Sequence, residues 1–185
     1  PSRGKVAPQA TDEGGRTALI FIIPSIQIQT KGNLIMEQSI TFRRIAAGDR
    51  EEFLAMSREF YESDAVLHRI PEAFHQATFA ELMRSAEYAE GFLLEQDGQA
   101  CGYALLAKSF SREAGGIVIW IEELYLRPQA RGKGLGGFFF DWLAENRPAA
   151  RYRLEVEPEN EGAVRLYGRK GFLPLPYGQM VREMQ

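Results

Sequence analysis

One stretch constrains this chain more than any other: Arg131-Gly132-Lys133-Gly134-Leu135-Gly136-Gly137. Before it, residues 117–126 are β-branched and aromatic, which predicts a long strand. After it, residues 133–145 predict a helix. Leu135, Phe138, Phe139, Trp142 and Leu143 recur there at the i, i+3, i+4, i+7, i+8 spacing of a core-facing helical stripe. The glycines therefore sit where a strand turns into a buried helix. The first helical N–H groups have no partner within the helix, and the dipole places partial positive charge beside them. Arg131 and Lys133 add full charges, and the glycines let a ligand approach the backbone closely. A phosphate or pyrophosphate is the natural guest of such a turn.

Two common phosphate motifs do not fit. Gly132, Gly134 and Gly137 satisfy G-x-G-x-x-G, and Glu157 lies about 20 residues on, as in dinucleotide-binding turns. However, Gly132 stands six residues past Leu126, whereas that fingerprint needs a tight turn directly off the strand. The chain also offers few parallel strands around it. The GKS/T loop fails because Lys133 is followed by Gly134.

At 185 residues the chain is one domain with room for an extension. Residues 1–35 carry four basic and two acidic side chains, so the remaining residues hold a net charge of −5 out of −3 overall. Residues 1–16 are polar and rich in Gly, Pro and Ala, a composition that favours disorder. Residues 18–23 are apolar and suit a strand. Met36 opens the first patterned segment. Lys31-Gly32 upstream has the coding content of a ribosome-binding site read through as protein, so residues 1–35 are expected to be a disordered or non-native leader in a bacterial protein, the alternative being an N-terminal arm that adds a strand, and 36–185 the working domain. The acidic balance disfavours an obligate nucleic-acid binder. No apolar run reaches the roughly 20 residues of a membrane span. Cys101 has no partner for a disulfide and reads as a small buried residue.

Strands are predicted over 39–45, 90–96, 100–109 and 152–156, with one or two more over 172–184. Asp97-Gly98 is a hairpin signal. Helices are predicted from about 50 to 63, from 71 to about 85 and over 161–170. Asp49 with Glu52 resembles a capping box. The order β-α-α-β-β-β-α-β-α-β predicts an α/β fold: a mixed central sheet with helices on both faces. His68 and His75 lack zinc-ligand spacing, so no metal is expected. Trp120 is read as core or as a wall of the site.

The segment Ile121-Glu122-Glu123-Leu124-Tyr125-Leu126-Arg127-Pro128, followed by Arg131-x-x-Gly134-x-Gly136, resembles the acyl-CoA-binding motif of the GNAT superfamily of N-acetyltransferases. A second block agrees in content and distance: Leu154-x-Val156, then Asn160-x-x-Ala163-x-x-Leu166-Tyr167-x-x-x-Gly171-Phe172. The resemblance spans about residues 39–184, and its motif is closest to the polyamine-acetylating type. It implies an acetyl-CoA-dependent N-acetyltransferase acting on a small-molecule or peptide amine, cytoplasmic, able to form a homodimer, and binding neither nucleic acid nor membrane. The alternative is a member that binds acyl-CoA as a sensor without turnover.

The resemblance also implies residue roles. The backbone of Leu124, Tyr125 and Leu126 would pair with the pantetheine arm, with a Leu124 or Tyr125 amide facing the oxyanion. The turn of Arg131, Gly132, Lys133, Gly134, Leu135, Gly136 and Gly137 would cradle the pyrophosphate. Asn160 and Ala163 would flank the pantetheine, and a bulge is expected near Glu122-Glu123. An alkyl amine with a pKa of about 10.4 is neutral in only about one molecule per thousand at pH 7, so a base is needed. Glu122 is the first candidate and Glu123 the second; strict alternation would place them on opposite faces unless the bulge intervenes. Tyr167 would return a proton to the departing thiolate. The acceptor pocket is expected around residues 60–79, Phe110 and residues 120–123. Glu59, Tyr61, Glu62, Asp64, His68 and Glu72 lie in or beside it, and their acidity points to a cationic amine.

Overall fold

Side-chain alternation builds the strands of this chain, and its turns set their order. The computed structural model describes residues 21–22, 26–29, 35–63 and 65–184. Their elements are β1 (Phe21–Ile22), β2 (Ile26–Gln29), β3 (Ile35–Gln38), β4 (Ile40–Arg44), α1 (Arg50–Tyr61), α2 (Glu72–Arg84), β5 (Ala89–Gln96), β6 (Gln99–Ser111), β7 (Gly116–Leu126), α3 (Leu135–Asn146), β8 (Arg151–Leu154) and α4 (Glu161–Arg169). The main sheet runs β1-β4-β5-β6-β7-β8, and β2 pairs with β3 apart from it. Its pairs are antiparallel except β7–β8. That parallel pair needs a crossover, and α3 provides it.

Alternate strand positions feed two cores. On one face Phe53, Met56, Phe79 and Leu82 of α1 and α2 pack on Leu93, Tyr103, Leu105 and Tyr125. On the other, Leu135, Phe139, Trp142 and Leu143 of α3 pack on Phe42, Phe92, Leu106, Ile119 and Ile121. This second set is the helical stripe read from the sequence. Each such fully buried side chain contributes roughly 1.5–3 kcal/mol. The β5–β6 hairpin turns at Asp97 and Gly98, with φ of 54° and 76°, as the Asp-Gly pair predicts.

Two local expectations are corrected. Asp49 does not cap α1 through its side chain. Its carboxylate instead accepts from the Ala46 N–H at 2.8 Å and from Arg43 at 2.7 and 2.9 Å, closing the short turn before the helix. Nor do the described residues 170–184 form a final strand. Pro174 and Pro176 bring no N–H to a ladder, and Leu173, Val181 and Met184 project into solvent. Much of the expected leader, residues 1–20, 23–25 and 30–34, lies outside the described residues, as does Asp64.

Candidate active site

The centre of the site is a fault in β7. Leu105 of β6 lies opposite Glu123, while its neighbour Leu106 lies opposite Ile121. Glu122 is the extra residue of a bulge, where the resemblance places one. A bulge resets alternation. Ile119 and Ile121 belong to the α3-side core, but Tyr125 belongs to the α1-side core, and Glu123 bonds into that side too. The bulge intervenes as the resemblance implied, so strict alternation does not assign the two glutamates to opposite faces.

Pairing with β8 stops at Ile121↔Leu154, just before the bulge. Residues 122–126 continue along β6 only, so the two parallel strands part there. A cleft of about 260 Å³ opens at the fork, walled by Trp120, Ile121, Glu122 and Glu155. Desolvation pushes the Glu122 carboxyl above its ordinary pKa, and the negative charge of Glu155 adds to the rise. Glu155 was not singled out from sequence. The available signal was its place at the end of the predicted strand 152–156, level with the glutamates of β7.

Glu123 is clasped rather than open. It accepts from the Tyr61 hydroxyl at 3.0 Å and the Tyr103 hydroxyl at 2.5 Å. Burial raises its pKa, and the two phenol bonds oppose that rise. Tyr103 is fully buried, and on α1 Ser57 Oγ lies 2.8 Å from His75 Nδ1. Burial lowers the His75 pKa, which favours the uncharged ring. A line of polar groups thus crosses the apolar α1-side core with each member partnered, the condition under which such groups are tolerated.

The glycine turn has the expected form. Gly132 and Gly134 hold φ of 73° and 82°, which side-chain-bearing residues adopt at a cost. Gly134 precedes the first turn of α3 with no side-chain cap, leaving the leading amides of Leu135, Gly136 and Gly137 without helical acceptors. At Gly136 a Cβ would stand 2.9 Å from Leu166 Cδ2, so the missing side chain lets α3 and α4 close on each other. Arg131 turns back to β7: its Nε donates to the Leu126 carbonyl at 2.8 Å, and its guanidinium lies over the Tyr125 ring. Lys133 Nζ reaches Gln96 at 3.4 Å.

On α4, the Asn160 side chain accepts from the Ala163 N–H at 3.2 Å and so caps the helix. Tyr167 packs against Phe140 and Phe172, with centroids 5.6 and 6.0 Å away. It stands outside the cleft wall, on the α3 side. Burial raises its pKa, so it is a protonated phenol over the neutral range.

Several acidic side chains of the expected acceptor region are engaged within the fold. Glu59 accepts from Tyr125 and Arg127, Glu72 from Arg58 and Gln76, and Tyr61 donates to Glu123. These groups are engaged in holding α1, α2 and β7 together. The acids that line the cleft are Glu122 and Glu155.

A strand fork with a bulged acid beside a glycine-capped helix matches the expected family geometry, and sequence comparison decides the matter. The family model described as Acetyltransferase (GNAT) family matches residues 51–172. The chain is a member of the GNAT acetyltransferase family. This GNAT protein is 26% identical over 145 residues to thialysine N-epsilon-acetyltransferase of Mus musculus, covering 70% of this chain and 81% of the mouse protein. Its fold is shared with a possible acetyltransferase from Clostridium difficile 630, with TM-score 0.67, 16% identity, and coverage of 79% of this chain and 98% of that one. An aminoglycoside N-acetyltransferase in complex with CoA gives TM-score 0.63, 16% identity, and coverage of 81% and 98%. As a GNAT enzyme the protein transfers acetyl from acetyl-CoA to an amine. No helix among the described residues is long and apolar enough to cross a membrane.

Proposed function

We propose that the acceptor is a small cationic primary amine seated between Trp120, Glu122 and Glu155, and that Glu122 takes its proton as the nitrogen attacks the thioester. The observation that carries this reading is the bulge, which presents Glu122 to the fork beside Glu155. Two carboxylates attract an ammonium, and the raised pKa of Glu122 brings a base nearer the working pH. The mouse relative, an acetyltransferase of a small basic amine by its name, supports the same class. The unpaired edge of residues 122–126 offers backbone groups to the pantetheine arm. A Leu124 or Tyr125 N–H there would serve the oxyanion. The turn from Arg131 to Gly137 would take the pyrophosphate on its free amides. Asn160 and Ala163 would lie along the far side.

Tyr167 would return a proton to the thiolate, whose own pKa is about 8.5. A phenol with a raised pKa keeps its proton until the thiolate forms close by. Glu123, clasped by two phenols, is the second candidate base. Cytoplasmic residence and a homodimer belong to the same reading.

The experiment is thiol release from acetyl-CoA with polyamines, aminoglycosides, amino acids and short peptides, with Cys101 reactivity subtracted as a blank. Turnover with a small cationic amine, falling at least tenfold in Glu122→Gln, is the expected result. Silence across the panel, with CoA binding confirmed separately, would shift the reading to the acyl-CoA sensor. An undiminished rate in Glu122→Gln would remove Glu122 as the base.

A further inference from the structure

Beside the two acids of the cleft stands a cation with no counter-charge. Arg153 is paired with Trp120 across the parallel β7–β8 ladder, and its guanidinium carbon lies 4.1 Å from the Trp120 ring centroid. Residues opposite each other in a ladder share a face, so Arg153 lies over a side chain that itself walls the cleft. Two positions along the same strand, Arg151 bonds Glu113 at 3.2 Å. Arg127, at the far end of β7, is held by Glu52 and Glu59. Arg153 has no hydrogen bond and no ion pair among the described residues. Glu155, two residues on, and Glu122, two residues beyond Trp120, form no ion pair with it among the described residues.

This arrangement suits an anion. Contact with an aromatic face leaves the edge of a guanidinium free, where its N–H groups form a fork matched to a carboxylate. The same contact fixes the side chain before a ligand arrives, which lowers the entropy lost on binding. An arginine needed only to shield Trp120 would gain by bonding one of the nearby glutamates as well. In this structure the acids and the arginine are kept as separate charges, as recognition of a molecule bearing both signs requires.

We infer that Arg153 selects acceptors that carry a carboxylate in addition to the reacting amine, making a basic amino acid the preferred substrate class over the corresponding diamine. The inference rests on the reading of the Trp120–Glu122–Glu155 cleft as the acceptor seat. The ammonium end lies toward Glu122 and Glu155, and the carboxylate lies on the free edge of Arg153.

The test uses the full-length protein with saturating acetyl-CoA and matched acceptors: lysine, its carboxamide lysinamide, and 1,5-diaminopentane, with acetylated product measured by mass spectrometry. A charge-assisted hydrogen bond at a partly exposed site is worth about 1.5 kcal/mol, so kcat/KM should favour lysine over both comparators by about tenfold. In Arg153→Gln the lysine-to-lysinamide ratio should fall toward unity through KM, and Arg153→Lys should restore part of it. The ratio is the readout because baring Trp120 affects all three acceptors alike, and a thermal melt of each variant checks folding. Acetylation of diaminopentane with no preference for lysine, or a preference that survives Arg153→Gln, overturns the inference and leaves the small-amine reading standing. Silence toward all three acceptors, with CoA bound, overturns the inference, and the small-amine reading falls with it only when the wider amine panel is silent too.

Discussion

The hydroxyl of Tyr103 is the most informative single atom to remove. It donates to Glu123 at 2.5 Å from a fully buried ring, and Tyr103→Phe keeps the ring packed against Phe53 and Phe60. A neutral hydrogen bond contributes about 1 kcal/mol and one to a charged group about 1.5–3 kcal/mol. The loss should therefore depend on the state of Glu123. Burial already holds the Glu123 pKa above its ordinary value, and the Tyr103 bond pulls it down; the substitution raises it further. A carboxyl whose folded pKa exceeds its unfolded pKa destabilises the fold once ionised. As pH rises through the raised folded pKa, the wild type loses some stability and the variant loses more. The expected destabilisation is about 1 kcal/mol where Glu123 is protonated, rising to about 2–3 kcal/mol where it is ionised. Urea unfolding of both proteins at closely spaced pH values from 4.5 to 8 measures it. A difference independent of pH would refute the claim that this phenol serves an ionisable carboxyl.

Tyr167→Phe should lower kcat at least tenfold while CoA affinity by calorimetry stays within about twofold; an unchanged rate would take Tyr167 out of the proton path. The acid limb of kcat/KM should lie above the ordinary glutamate pKa, because Glu122 must lose its proton to act and its pKa is raised. Glu122→Gln should abolish that limb. It should also raise the unfolding free energy slightly, by about a few tenths of a kcal/mol after solvent screening, since an ionised carboxylate beside Glu155 is removed. Gly134→Ala should cost about 1–2 kcal/mol in unfolding free energy at its φ of 82°, with a weaker CoA complex. Phe139→Ala, at the centre of the α3 stripe, should cost about 3–5 kcal/mol by urea titration.

What could be read from sequence was set by local chemistry. The Asp97-Gly98 turn, the α3 stripe and the glycine turn depend on residues close in the chain, and each formed where expected. The bulge was implied by the family motif, but its effect on Glu122 and Glu123 was hidden, since one extra residue changes the face of everything after it. Glu59 and Glu72 looked free because their partners, Arg127 and Arg58, lie 68 and 14 residues away. Glu155 and Arg153 gained meaning only once β8 was set in parallel register with β7. In the tail, one or two proline-interrupted strands were expected over residues 172–184, but Pro174 and Pro176 bring no N–H to a ladder and none forms among the described residues.

The parallel seam has a consequence for motion. β8 is held to the sheet by four residue pairs, while β7 runs ten pairs along β6. Short, one-sided pairing marks the elements that open first in local unfolding. In amide exchange β8 and α4 should therefore lose protons faster than β5, β6 and β7, and independently of them. On that expectation Asn160 and Tyr167 lie in the faster-exchanging half, and Glu122 and the glycine turn in the slower one. Any molecule spanning the fork must bind both at once, so its binding free energy is added to the closing of the seam. Saturation with CoA should slow exchange in β8 most, making the weakest pairing in the sheet the one that reports occupancy.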